Sequence, residues 1–84
     1  MLTIQYFASI REALDRNQEQ LQMPDSVSTV EQLIQHLVQL NPHFSTVFNA
    51  DKKVLIAVNQ VVADKEYELA GNEEVAFFPP MTGG

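Results

Sequence analysis

The chain has 84 residues, the length of one small domain, and at 45% hydrophobic and 19% charged it is too apolar to remain disordered. Its longest apolar run, Val54 to Val58, is far short of a membrane span, and the opening MLTIQYFASIRE carries neither a basic n-region nor a small-residue cleavage site, so the expected location is the cytoplasm. The absence of cysteine excludes disulfides, thiolate zinc sites and a cysteine nucleophile, while a net charge of -6 with Arg11, Arg16, Lys52, Lys53 and Lys65 scattered argues against nucleic acid and for a protein partner with a basic groove.

Leu2, Ile4 and Tyr6 alternate with Thr3, Gln5 and Phe7, the period of a half-buried strand, with Phe7 on the polar side. Ser9 to Asp15 has the composition of a short helical turn, and Asn17 to Met23, stopped by Pro24, reads as a second strand. Ser28-Thr29-Val30-Glu31 fits a capping box with Ser28 as the cap. Val30, Leu33, Ile34, Leu37 and Val38 then form one apolar stripe of a main helix about 12 residues long, which Pro42 ends near Asn41. Residues 43–51 read as loop with a helical turn. Val54 to Asn59 is rich in β-branched residues and is expected as a central strand, followed by an edge piece from Gln60 to Ala63. Ala70-Gly71-Asn72 signals a turn, and Glu73 to Phe78 is the last strand, ended by Pro79 and Pro80, which cannot donate ladder hydrogen bonds.

A hairpin, a crossover helix and strands that return beside the first one imply an α+β fold, a mixed sheet packed on one main helix. This is the ubiquitin-like β-grasp. Residues 1–80 are expected as a single domain, and residues 81–84 as a free tail.

The tail is the informative feature. Pro79 and Pro80 stiffen its exit, and Gly83 and Gly84, without Cβ atoms, suit a narrow channel. The group such a tail delivers is the α-carboxylate. With a pKa of about 3.3 to 3.7 it is ionised at neutral pH and a poor electrophile, so chemistry at it requires activation. Adenylation with ATP makes AMP a leaving group, and sulfide or persulfide attack then leads to a thiocarboxylate. The residues alone show an accessible carboxylate on a stiff tail and go no further.

The run Glu74 to Gly84, EVAFFPPMTGG, resembles the C-terminal signature of the molybdopterin synthase small-subunit family. Tyr6-Phe7-Ala8 with Arg11-Glu12, Ala57-Val58-Asn59-Gln60, and the element order over nearly the whole chain extend the likeness. The resemblance implies a sulfur carrier that is not an enzyme on its own. Gly84 would be adenylated by a ubiquitin-activating-like adenylyltransferase, with ATP and magnesium used by that partner and no cofactor bound by this chain. Gly84 would then become a thiocarboxylate. Met81, Thr82 and Gly83 would thread the active site of the synthase large subunit, where the sulfur passes to precursor Z. Met81 departs from the small hydrophobic residue usual at its position. The assembly implied is a heterotetramer with two large subunits at the centre.

If Val75 and Phe77 face the helix, Phe78 faces away from it, and Phe7 lies on the matching side of the neighbouring strand. Phe7, Phe78 and Val61, with Pro79 and Pro80 at the exit, are therefore candidates for an apolar docking patch, and the resemblance implies that both partners use it. Arg11 is a candidate contact for a partner carboxylate, with an ordinary surface arginine as the alternative. His36 and His43 read as solvated rather than as metal ligands. Glu73 and Glu74, adjacent on a strand, cannot flank one substrate and read as solvating charge. Two rivals stay open: a carrier of the same fold for thiamine synthesis or tRNA thiolation, and a modifier whose tail is joined to a lysine of another protein. An independent enzyme lacks a nucleophile, base and oxyanion constellation.

Overall fold

In the computed structural model, which describes residues 1–48 and 53–80, the alternation at the start of the chain becomes β1 (Leu2–Tyr6), with Leu2, Ile4 and Tyr6 buried and Thr3 and Gln5 half-buried. The chain leaves β1 through α1 (Ala8–Leu14), which buries Ile10 and Leu14 and ends at Asp15 in a left-handed conformation. It returns as β2 (Gln18–Leu21), antiparallel to β1 and shorter than the expected 17–23. The helix α2 (Val30–Leu40) crosses over the sheet, a short 3-10 helix follows at Pro42–Thr46, and β3 (Leu55–Val58), β4 (Val61–Ala63) and β5 (Glu74–Phe78) complete the fold. The strand order is β2-β1-β5-β3-β4, with β1 and β5 parallel and the other pairs antiparallel. The mixed β-grasp sheet is thus present, but β5 holds its centre, and the β-branched VLIAV run lies one place out from it.

The core lies between the sheet and the helices. Ile4, Tyr6, Val75, Phe77, Ile56 and Val58 from the strands meet Val30, Leu33, Ile34 and Leu37 of α2, with Phe44 and Val47 closing one end. Val38 packs at the margin of this cluster.

The helix starts one residue later than its sequence suggests. Thr29, not Ser28, is the N-cap: its hydroxyl accepts the Gln32 amide at 3.2 Å, and the Gln32 side-chain oxygen accepts the Thr29 amide at 3.2 Å. Ser28 contributes its amide and hydroxyl to the same Gln32 oxygen, each at 2.7 Å. The shift has a tertiary cause. The first-turn amides of Val30 and Glu31 donate to the carbonyls of Tyr67 (3.0 Å) and Lys65 (2.9 Å), so Glu31 needs no cap from Ser28.

Glu73 is another departure. Instead of solvating the surface, its carboxylate is buried, with 7% exposure, and accepts the amides of Ala70 (2.6 Å), Gly71 (2.9 Å) and Asn72 (3.1 Å). Gly71 makes this turn with φ +117°, a conformation that L side chains rarely adopt. Burial alone would push the Glu73 carboxyl upward, but the backbone amides outweigh it and hold the group below the usual carboxylate range.

Candidate functional site

The site is built on the sheet face opposite α2. Parallel pairing sets Gln5 beside Ala76 and Tyr6 beside Phe77, so the next residues, Phe7 and Phe78, are neighbours on the outer face. The Phe7 amide donates to the Phe77 carbonyl at 3.1 Å, fixing that pair. Across the other side of β5, Phe78 is opposite Leu55 and Ala76 opposite Ala57. Phe7, Phe78 and Leu55 therefore form one apolar row, backed by Ala76 and Ala57. Phe7 is 43% exposed, and Phe78 is half-buried among these neighbours. Continuing from Phe78, Pro79 and Pro80 are half-buried, and Pro79 joins Ser9, Ile10 and Ala13 of α1 in lining a depression of about 260 Å³. The root of the tail thus leaves the sheet between the apolar row and α1.

Val61 occupies a different place from the one its sequence parity suggests. Asn59 and Gln60 form a two-residue turn with φ of 50° and 69°, which sets Val61 opposite Val58 and Val62 opposite Ala57. Residues directly opposite share a face, so Val61 stands on the helix side at the rim, whereas Val62 extends the outer apolar face. Exposure does not separate the two, at 68% and 74%; register does. The expected grouping of Val61 with Phe7 and Phe78 fails here because a hairpin turn resets the alternation of side chains.

The far end of the same face is polar. Gln5 donates to the Glu74 carboxylate at 2.9 Å, the Glu74 amide donates to the Asn59 side-chain oxygen at 3.0 Å, and the Asn59 amide donates to the Glu74 carbonyl at 2.8 Å. These bonds tie the start of β5 to β1 and to the β3–β4 turn. Arg11 is exposed on α1 beside Glu12, Asp15, Arg16 and Asn17 and does not belong to the strand rows. His36 is half-buried and His43 exposed, His43 lying edge-on to Phe44 at 4.9 Å. Among the described residues, no group of three His, Asp or Glu side chains is placed to hold a metal ion. Met81, Thr82, Gly83 and Gly84, and also Lys52, lie outside the described residues.

Beneath the outer row is an arrangement that sequence reading missed. Glu19 faces inward beside Ile4, accepts the Tyr6 hydroxyl at 2.6 Å and pairs with Arg16 at 3.0 Å. The Arg16 guanidinium lies over the Phe44 ring at 5.4 Å. Burial, the bond to Glu19 and the Glu19 charge push the Tyr6 phenol far above the ordinary tyrosine range, with Arg16 opposing, so it remains a hydrogen-bond donor. Its ring stacks on Phe77 at 6.0 Å and meets Phe44 edge-on at 5.9 Å. A signal existed in the Arg16–Glu19 spacing and in the inward parity of Glu19, but a short strand of sequence QEQL gives little reason to assign it a buried face.

Comparison with known proteins points the same way as the face and the tail sequence. The ThiS family model matches residues 4–84. The chain is 33% identical over 84 residues to the molybdopterin synthase sulfur carrier subunit of Haemophilus influenzae and 34% identical over 84 residues to that of Escherichia coli, covering 100% of both chains in each case. Among solved structures, small archaeal modifier protein 1 of Haloferax volcanii superposes with a TM-score of 0.78 at 26% identity, over 99% of this chain and 98% of that one.

Proposed function

The chain belongs to the ThiS family, and we propose that it is the sulfur-carrier subunit of molybdopterin synthase, with the α-carboxylate of Gly84 as the group that is activated and loaded. The observation that carries this reading is the continuity of β5 with the tail. The strand that supplies Phe78 to the outer apolar row runs directly through Pro79 and Pro80 toward Gly84, so a partner seated on the row receives the tail from a fixed root. Full-length likeness to two sulfur carrier subunits supports the same assignment.

In the proposed cycle, the Gly84 carboxylate attacks the α-phosphorus of ATP on an adenylyltransferase, releasing pyrophosphate and forming an acyl-adenylate. Hydrosulfide attacks the acyl carbon, AMP departs with the bonding pair, and a thiocarboxylic acid remains, which ionises. This carrier then docks on the synthase large subunit through Phe7, Phe78, Leu55 and Val62, and the tail delivers its sulfur to precursor Z. Glycine suits the acyl position because no side chain hinders attack at the carbonyl. The domain supplies the docking face and a stiff exit; the partners supply the chemistry. A heterotetramer around two large subunits is the assembly consistent with this role.

Likeness to a protein described as a modifier supports a second reading, transfer of the same acyl-adenylate to a lysine amine. Intact mass spectrometry after incubation with ATP, the cognate activating enzyme and a sulfur source separates the two. A gain of about 16 Da on the C-terminal peptide, one oxygen replaced by sulfur at the carboxylate, is the expected result. Recovery of the tail on a lysine of another protein, with no such gain, would overturn the sulfur-carrier reading.

A further inference from the structure

The Arg16–Glu19–Tyr6 network lies on the inner side of the sheet, with Tyr6 buried and Arg16 and Glu19 half-buried, and takes no part in the chemistry proposed above. Its position gives it a role. Tyr6 and Phe77 are the inner-face residues directly before Phe7 and Phe78, so each outer ring shares its local backbone with an inner one. The Tyr6 ring is stacked on Phe77 with planes 18° apart, and Phe77 is met on another side by Phe48 at 4.9 Å. The Tyr6 ring is buried against Phe44 and Phe77; the 2.6 Å bond from its hydroxyl to Glu19 adds a directional anchor to that packing, and Arg16 holds Glu19 in turn from its place over Phe44. The chain of contacts therefore runs from β2 and the Pro42–Thr46 helix, through Tyr6 and Phe77, to the backbone from which Phe7, Phe78 and the tail depart.

We propose that Arg16, Glu19 and Tyr6 form a brace that positions the Phe7–Phe78 row and the tail root, making Glu19 and Tyr6 positioning residues for partner docking although neither lies on the docking face. This rests on the reading that the row docks the synthase large subunit. The brace pre-organises the row, so its loss spreads the row over several arrangements of which one is competent to dock, and affinity falls by the lost fraction. A second consequence is that the β2 edge carries an inward-pointing charge, a feature that discourages pairing of a free edge with other chains.

The test is the affinity of the full chain for the cognate large subunit, by calorimetry at a temperature well below melting, for wild type, Tyr6→Phe, Glu19→Gln, Phe78→Ala, Tyr6→Phe with Phe78→Ala, and Thr29→Ala as a remote destabilised control. Tyr6→Phe is expected to weaken binding by about fivefold while the protein remains folded, and the double variant to fall short of the product of the single effects, as coupled sites do. Glu19→Gln keeps an acceptor for the phenol and should weaken binding less. Thr29→Ala should lower melting and leave affinity unchanged. If Tyr6→Phe lowers melting alone, while Phe78→Ala weakens binding, the brace is overturned and the docking face stands. If Phe78→Ala leaves affinity unchanged, the docking face itself fails and the brace with it. Should Tyr6→Phe not fold, the same comparison between Glu19→Gln and Thr29→Ala decides: equal affinity in these two overturns the brace.

Discussion

The two ends of β5 are treated in opposite ways. At its start, Glu73 is buried under three backbone amides, and Glu74 is bound through its amide, carbonyl and side chain to Asn59 and Gln5. At its finish, Phe78 gives way to two prolines that offer no amide hydrogen to any neighbour. One strand is thus anchored at one end so that its other end can be presented. The same division runs through its thickness, where Phe77 is fully buried and Phe78 is half-buried on the outer face. Buried and outward-facing rings are separated here by a single residue step, because alternate side chains of a strand serve opposite faces.

Changes at the presented end should cost function and not stability. Deleting Gly84, or adding one residue after it, is expected to abolish sulfur transfer in a synthase turnover assay while the melting temperature stays at the wild-type value. A large drop in melting would show that the tail belongs to the folded unit, erasing the distinction between the ends.

Phe77 and Phe78, adjacent on β5, should respond in opposite ways. Phe77→Ala should destabilise by about 3–5 kcal/mol in denaturant titration, the usual cost of emptying a fully buried aromatic site. Phe78→Asp should instead weaken large-subunit binding by about 2 kcal/mol or more, the scale of an interface hot spot, with a smaller effect on folding. Reversed magnitudes would mean that Phe78, not Phe77, is the structural residue.

At the anchored end, Glu73→Ala leaves three amides without their acceptor and should cost about 1–3 kcal/mol with carrier activity per folded molecule unchanged. The group also predicts a pH dependence. Its folded-state pKa is depressed, so its stabilisation is fully present above the ordinary glutamate pKa of about 4.3, and it is lost as pH falls through the lowered folded value. Wild type and Glu73→Ala should therefore converge in stability on acidification below that point. A constant gap between them across the acid range would remove the carboxylate from its anchoring role.

The smallest expected effect is remote from β5. Thr29→Ala should cost about 1 kcal/mol by loss of the cap, measured by denaturant midpoint, and Ser28→Ala less. Equal losses would indicate that the capping oxygen is shared between the two hydroxyls.

Much of this was legible in the sequence because it depends on local pattern. The alternation of Leu2, Ile4 and Tyr6, the stripe from Val30 to Leu37 and the Pro79-Pro80 stop each follow from short-range periodicity or backbone chemistry, and Val75 and Phe77 fell on the buried side as their parity required. What escaped depends on partners distant along the chain. Thr29 replaces Ser28 as cap because Lys65 and Tyr67 supply carbonyls to the next turn. Glu73 turns inward because three amides of its own turn converge on it, and a carboxylate beside Glu74 reads as surface charge until that turn is seen. Val61 and Val62 exchange faces because Asn59 and Gln60 close a two-residue turn. The Tyr6–Glu19–Arg16 network needs the β1–β2 register before it has any meaning. The chemistry proposed for Gly84 rests on the tail sequence and its family likeness, and the described residues place the root of the tail at Pro79 and Pro80.

The parallel pairing of β1 with β5 joins residues such as Gln5 and Glu74, 69 positions apart. Contacts of that sequence separation slow folding, since a long loop must close before any of their stabilisation is gained. The central strand is therefore secured by one of the most distant contacts in the fold. Until it is in place, Phe7 and Phe78 are not neighbours. On the proposed function, a chain whose folding is incomplete would reach its partners without the row that docks them, so completion of folding would select the molecules that can be loaded.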